Sequence, residues 1–138
     1  MIPQRIRLLG FLSYKDEQEI DFGSAALWML AGNNGSGKSA IFDALTYALF
    51  GAHRGGSTNH VELINKESNA ATVEFDFRLD HVSYRIRRTL RRSTKGSATG
   101  TQQLSTIHTD GSVEPIPDTS RKADFDAWIG AHIGLNYE

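Results

Sequence analysis

The chain has 138 residues, 39% of them hydrophobic, a formal net charge of −1 and no cysteine. That length holds one core and one domain, the near-neutral charge gives no global pull toward nucleic acid or lipid, and the missing thiols exclude disulfides and cysteine metal sites, in keeping with a reducing compartment. No apolar run is long enough to cross a bilayer, and the opening MIPQRIRLLGFLSYKDE meets charge too soon for a secretion signal, so a cytoplasmic chain with no membrane partner is expected.

In chain order, Arg5 and Arg7 alternate with Ile6 and Leu8 over residues 4–9, the pattern of a half-buried strand that Gly10 ends. A polar turn from Ser13 to Asp16 leads to Ile20 and Phe22, a second short strand. Gly23-Ser24 then turns into AALWMLA, which is apolar on both faces and reads as an interior strand of a mixed or parallel sheet. It delivers the chain to AGNNGSGKSA, residues 31–40, which fits the phosphate-binding pattern G-x-x-x-x-G-K-[ST] with Gly32, Gly37, Lys38 and Ser39. By composition alone such a pattern arises about once in a hundred chains of this kind, before a strand in front and a helix behind are required.

The chemistry explains that spacing. A polyphosphate needs several backbone N–H donors converging on it, and glycines such as Gly35 and Gly37 let the main chain approach. The cradle therefore comprises Gly32, Asn33, Asn34, Gly35, Ser36, Gly37, Lys38, Ser39 and Ala40. Lys38 places a point charge on the outer phosphates, and the Ser39 hydroxyl takes one position on an octahedral Mg²⁺ bridging them. KSAIFDALTYALFG follows as a helix whose dipole faces the phosphates, with Ile41, Leu45, Ala48 and Leu49 on one face and Gly51 as C-terminal cap.

Residues 52–60 are a Gly/Ser-rich loop, and its His53 and His60, without carboxylate or cysteine company, read as solvated rather than as metal ligands. VELINKES suggests a helical turn. Asn65-Lys66-Glu67-Ser68 begins like the guanine-reading N-K-x-D motif, but Ser68 cannot supply its carboxylate and no D-x-x-G precedes it, so adenine is the expected base. ATVEFDFRLD alternates Val73, Phe75, Phe77 and Leu79 against Glu74, Asp76, Arg78 and Asp80, a strand with one wet face, paired through a turn at Asp80-His81 with SYRIRRTLRR. Arg85, Arg87 and Arg91 share one face of that partner. They either contact DNA phosphates without reading sequence, or protect a sheet edge and pair with Glu74 and Asp76. STKGSATGTQQ reads as a mobile stretch, QLSTIHTDGSVEPI as a weak hairpin turning at Asp110-Gly111, and Thr119 or Ser120 as the cap of a last helix whose Phe125, Trp128, Ile129 and His132 share a face up to Gly134, with Trp128 in the core. Leu135 to Glu138 add no closing element, and a truncated domain is expected.

A complete NTPase also needs an apolar strand ending in Asp and a group that orients water. The acid-rich stretches Asp16 to Asp21 and Glu74 to Asp80 lack the apolar lead-in, so no catalytic residue is assigned and the chain alone is expected not to hydrolyse nucleotide.

Together, GFLSY followed by EIDF, GNNGSGKSAIFDALTYALFG, VEFDFRLD with YRIRR, and FDAWIGAHIGL make the chain similar to the N-terminal half of an SbcC-type ATPase head, within the wider SMC-like ABC ATPases; the resemblance spans nearly all 138 residues. It implies an α/β P-loop half-head, a mixed sheet around the phosphate-loop helix with an antiparallel β lobe, ending before a glutamine loop and a coiled coil. It further implies ATP and Mg²⁺ as cofactors, with Ser13, Ile64, Asn65 and Lys66 beside the nucleotide; Leu12 stands where many relatives carry a basic residue. Implied partners are the C-terminal half of the same head, a second head, a metal-dependent nuclease of the SbcD type and double-stranded DNA, in ATP-gated processing of DNA ends. Rival readings are an SMC or RecN-like chromosome or repair ATPase, a small-molecule P-loop kinase, and a structural DNA-binding module with a vestigial loop.

Overall fold

Strict alternation of apolar and polar residues builds an antiparallel sheet whose two faces have different chemistry. The computed structural model describes residues 1–22, 36–52 and 60–134, and of residues 36–39 the backbone alone. The elements are β1 (Ile2–Leu9), β2 (Gln18–Asp21), α1 (Ser36–Phe50), a single 3₁₀ turn (His60–Leu63), β3 (Ala70–Leu79), β4 (Val82–Arg92), β5 (Ala98–Ile107), β6 (Val113–Pro115) and α2 (Lys122–Ile133). The six strands run in the order β2-β1-β3-β4-β5-β6, every neighbour antiparallel. The expected strand AALWMLA, the loop residues 32–35, His53 and the tail 135–138 lie outside the described residues.

One face of the sheet is apolar because every second residue is. Ile6 and Leu8 on β1, Val73, Phe75 and Phe77 on β3, Ile86 and Leu90 on β4 and Leu104 on β5 are all buried there. The helices cover this face, α1 over β3 and β4 and α2 against β5. Ala44, Tyr47 and Ala48 of α1 and Phe125 and Ile129 of α2 close the core; each large side chain contributes about 1.5–3 kcal/mol of burial. The expected helix face is present in Ile41, Ala48 and Leu49, while Phe42 stays exposed. Gly51 ends α1 at φ +66° with its N–H on the Tyr47 carbonyl at 2.8 Å, and Gly134 ends α2 in the same left-handed conformation.

Three local expectations are corrected. The stretch read as mobile contains β5 from Ala98 onward, because cross-strand partners from Arg92 to Ser83 supply the order that its own apolar content does not. Gly100 fits that pairing: a Cβ there would meet Leu90 Cδ2 at 3.2 Å and the Tyr47 hydroxyl at 3.5 Å. Neither Thr119 nor Ser120 caps α2. Its N-cap is Arg121, which makes no side-chain cap, while the Thr119 hydroxyl donates to the Ile116 carbonyl at 2.8 Å. Finally, the polar face of β3 is wet only at its far end, where Arg78 and Asp80 are exposed. Glu74 and Asp76 are only 4% and 6% exposed, since arginines from both neighbouring strands lie over them.

The Asp80-His81 turn is as expected, a two-residue connection between paired Leu79 and Val82 with Asp80 at φ +54°. Trp128 packs against the core edge, 5.0 Å from the Tyr84 ring, and His132 stacks on its outer side at 4.0 Å instead of entering the core.

Candidate functional site

A cleft of about 490 Å³ opens beside the end of β1, lined by Leu12, Ser13, Glu62, Ile64, Asn65, Lys66 and Glu67. Its two walls are far apart in sequence. One is the tight turn after β1, in which Phe11 and Tyr14 exchange backbone hydrogen bonds at 3.0 and 2.8 Å. The other is the segment between the 3₁₀ turn and β3.

The backbone joins them. The Leu12 N–H donates to the Leu63 carbonyl and the Asn65 N–H to the Gly10 carbonyl, both at 2.8 Å. Asn65 Nδ2 donates to the Leu12 carbonyl at 2.7 Å, and its Oδ1 accepts the Glu67 N–H at 2.9 Å. Both ends of that amide are thus engaged in building the wall. Gly10 permits the approach: at φ +64°, a Cβ would lie 2.3 Å from the Ala70 carbonyl oxygen. Leu12 at φ +49° is held in a conformation that non-glycine residues seldom adopt, fixed by its bonds on both sides.

The structure therefore brings Ser13, Ile64, Asn65 and Lys66 to one cleft. Of the phosphate cradle, Gly32 to Gly35 lie outside the described residues, as do the side chains of Ser36, Lys38 and Ser39; Gly37 lies in the first turn of α1, and Ala40 is buried against the core. Charge in the cleft is mixed, with Lys66 beside Glu62 and Glu67, and Lys15 Nζ lies 3.6 Å from Glu67. Among the described residues no three His, Cys, Asp or Glu side chains group as a metal site, and His60 packs edge-on to Tyr47 at 5.4 Å.

The predicted arginine stripe has a divided fate. Arg85 reaches Asp76 through Nε at 2.8 Å, and Arg87 reaches Glu74 at 3.0 Å. Arg5 and Arg7 of β1 join the same carboxylates, Arg5 at 2.9 Å from Glu74 and Arg7 at 2.7 Å, and extend to Glu19 and Glu17. Burial alone would push the Glu74 carboxyl up, but Arg7, Arg85 and Arg87 outweigh it and hold it below the usual carboxylate range. The hydrogen bond to Asp76 raises Arg85, against a smaller opposing effect of burial. Arg87 and Arg91 are both exposed, and of the stripe only Arg91 makes no ion pair to a described residue.

Two arginines whose roles were not foreseen lie on the opposite face of β4. Arg88 is 4% exposed, donates through Nε to the Ala48 carbonyl at 2.9 Å, and lies 4.5 Å over the Phe125 ring. Burial lowers its pKa, only partly offset by Tyr47 and Asp126. Arg92 donates through Nε to the Ser68 carbonyl at 2.9 Å and through one terminal nitrogen to the Asn65 and Ile64 carbonyls at 3.1 and 3.4 Å. The signal for Arg88 was present in the alternation, which sets it in line with Ile86 and Leu90. The family resemblance pointed to the Leu12 position, and no sequence signal marked Glu62 or Glu67 as lining a cleft.

A family model described as an AAA domain matches residues 5–127. The DNA double-strand break repair Rad50 ATPase of Thermoplasma volcanium is 42% identical over 113 residues, which are 82% of this chain and 12% of that protein. The SbcC component of the SbcCD nuclease of Deinococcus radiodurans is 31% identical over 139 aligned residues, 100% of this chain and 15% of its own length. The chain thus spans less than a sixth of these curated relatives. The SMC head domain from Thermotoga maritima superposes with a TM-score of 0.58 at 24% identity, over 93% of this chain and 42% of that one, which extends the likeness to the fold.

Proposed function

We propose a function on the premise that the chain belongs to the AAA domain family, in the group of SbcC- and Rad50-type ATPases: it is the part of an ATPase head that binds ATP·Mg²⁺, and binding there drives head association and gates nuclease processing of double-strand DNA ends. The observation that carries this reading is the cleft. Residues 53 apart, Leu12 and Asn65, are hydrogen-bonded so that Ser13 and Ile64 to Lys66 face one space large enough for a nucleobase and its sugar.

On this reading the base enters between the turn after β1 and the segment before β3, and the phosphates lie on Gly32 to Ala40 at the start of α1. Glu62 and Glu67 favour that polarity, since carboxylates at the cleft repel phosphate oxygens and leave the cationic loop to them. Lys38 holds the outer phosphates and Ser39 one position on Mg²⁺. The sequence shows no apolar strand ending in Asp of the kind that supplies the metal's second protein contact, so hydrolysis is assigned to this half together with a C-terminal half and a second head, with an SbcD-type nuclease as the effector. Duplex DNA contact is assigned to the strand bearing Arg85, Arg87 and Arg91, led by Arg91, whose charge no described carboxylate neutralises.

The test is Lys38→Ala in the native protein. ATP-dependent association, followed by light scattering, should be lost because the polyphosphate loses its main side-chain cation. Undiminished association in that variant overturns the reading.

A further inference from the structure

We infer that Arg92 is a positioning residue for the base-binding cleft, setting its second wall from the end of β4 without touching the ligand; the inference rests on the cleft being where the base binds. Three features point to it. The guanidinium is bound to three backbone carbonyls, of Ile64, Asn65 and Ser68, and to no carboxylate among the described residues, so its charge is spent on the course of the main chain. Two of those three carbonyls belong to residues that line the cleft. The Arg92 N–H also donates to the Asn69 carbonyl at 2.9 Å, so strand and side chain together hold residues 64–69 from one end to the other.

The geometry requires arginine. Carbonyls of residues four apart in a non-helical segment are reached together by Nε and the terminal nitrogen beside it, two donors fixed in one plane along one edge of the guanidinium, an arrangement that a single lysine ammonium on a flexible stem does not hold. The inner ends of the two walls are joined to each other at Gly10, Leu12 and the Asn65 amide. Arg92 holds the second wall from its outer side, where those bonds do not reach. Loss of the clamp leaves the Asn65 carbonyl to the Ser68 N–H alone and removes the Arg92 donor from the Ile64 carbonyl, so the main chain of residues 64–66 can shift against the base.

The expected signature separates base from phosphate. In the native protein, Arg92→Lys and Arg92→Gln should weaken ATP binding about tenfold, while inorganic tripolyphosphate, which has no base to place, binds within about twofold of wild type. Two variants are used so that one misfolding leaves the other informative, and thermal melting identifies a folded one. Both affinities are measured by calorimetry with Mg²⁺. A folded variant that binds ATP as tightly as wild type, or one that loses ATP and tripolyphosphate equally, overturns the positioning role. Ser13→Trp, which fills the cleft from the other wall, separates the two levels of the argument. If it costs ATP affinity and the Arg92 variants do not, the cleft reading stands and Arg92 is merely structural. If Ser13→Trp leaves ATP affinity unchanged, the base lies elsewhere and both readings fall.

Discussion

On one face of β4, Arg85 and Arg87 reach the carboxylates of Glu74 and Asp76; on the other, Arg88 and Arg92 reach backbone carbonyls, of Ala48 and of residues 64 to 68. The first pair sits in a shared network in which each carboxylate has more than one cation, so any one arginine is replaceable and the whole responds to protonation. The second pair has neutral acceptors that no accessible pH alters, and each arginine fixes one particular turn of chain. A basic strand thus divides into charge compensation on the outside and main-chain placement on the inside.

The sharpest break in that comparison is expected at Arg88. Arg88→Ala strands the Ala48 carbonyl near the end of α1 and removes the cation from the Phe125 ring, at a cost of about 3 kcal/mol read from chemical denaturation. A loss under about 1 kcal/mol would mean that burying an uncompensated guanidinium already offsets its contacts.

Glu74 comes next. Glu74→Gln leaves four arginines around one remaining buried acid and should cost about 2 kcal/mol at neutral pH. The sign of its pH dependence follows from its lowered pKa: the contribution is present above the unfolded value near 4.5 and is lost as pH falls through the lower folded value. Wild type should therefore lose stability below about pH 4.5 more steeply than Glu74→Gln. Parallel acid profiles would remove Glu74 as the source of that slope.

The smallest effect belongs to Arg91, exposed and outside both arrangements. Arg91→Ala should change stability by less than about 0.5 kcal/mol, yet take about 0.9 from the log–log salt slope of duplex DNA binding by the native protein. An unchanged slope would take Arg91 off the DNA path.

Much of this was legible in the chain. Alternation over Arg5 to Leu8 and Val73 to Leu79 gave strands with the right faces inward, and Gly51 and Gly134 marked the ends of both described helices. Ser13 and Ile64 to Lys66 were named together only through a family resemblance, because no periodicity joins a turn to a segment fifty residues later. Glu74 and Asp76 were set on a wet face with Arg85 and Arg87 as possible partners, a pairing the structure shows; the cover from Arg5 and Arg7 was missed because alternation tells which face a residue takes and not which strand will lie beside it. Arg92 was hidden by its own class. It ends a strand whose Arg85, Arg87 and Arg91 read as a stripe of charge, and a contact with a carbonyl leaves no mark on the partner's identity.

The order of the strands bears on how the molecule comes apart. β3 and β4 meet across a two-residue turn, whereas the cleft joins positions 53 residues apart, a closure that costs roughly 3 kcal/mol more in chain entropy. The meander from β3 to β6 can therefore persist while the N-terminal hairpin lifts away. A ligand lodged between the two walls would act as a cross-link between the N-terminal hairpin and the meander, and its binding would show as resistance to that partial opening before any change in global unfolding.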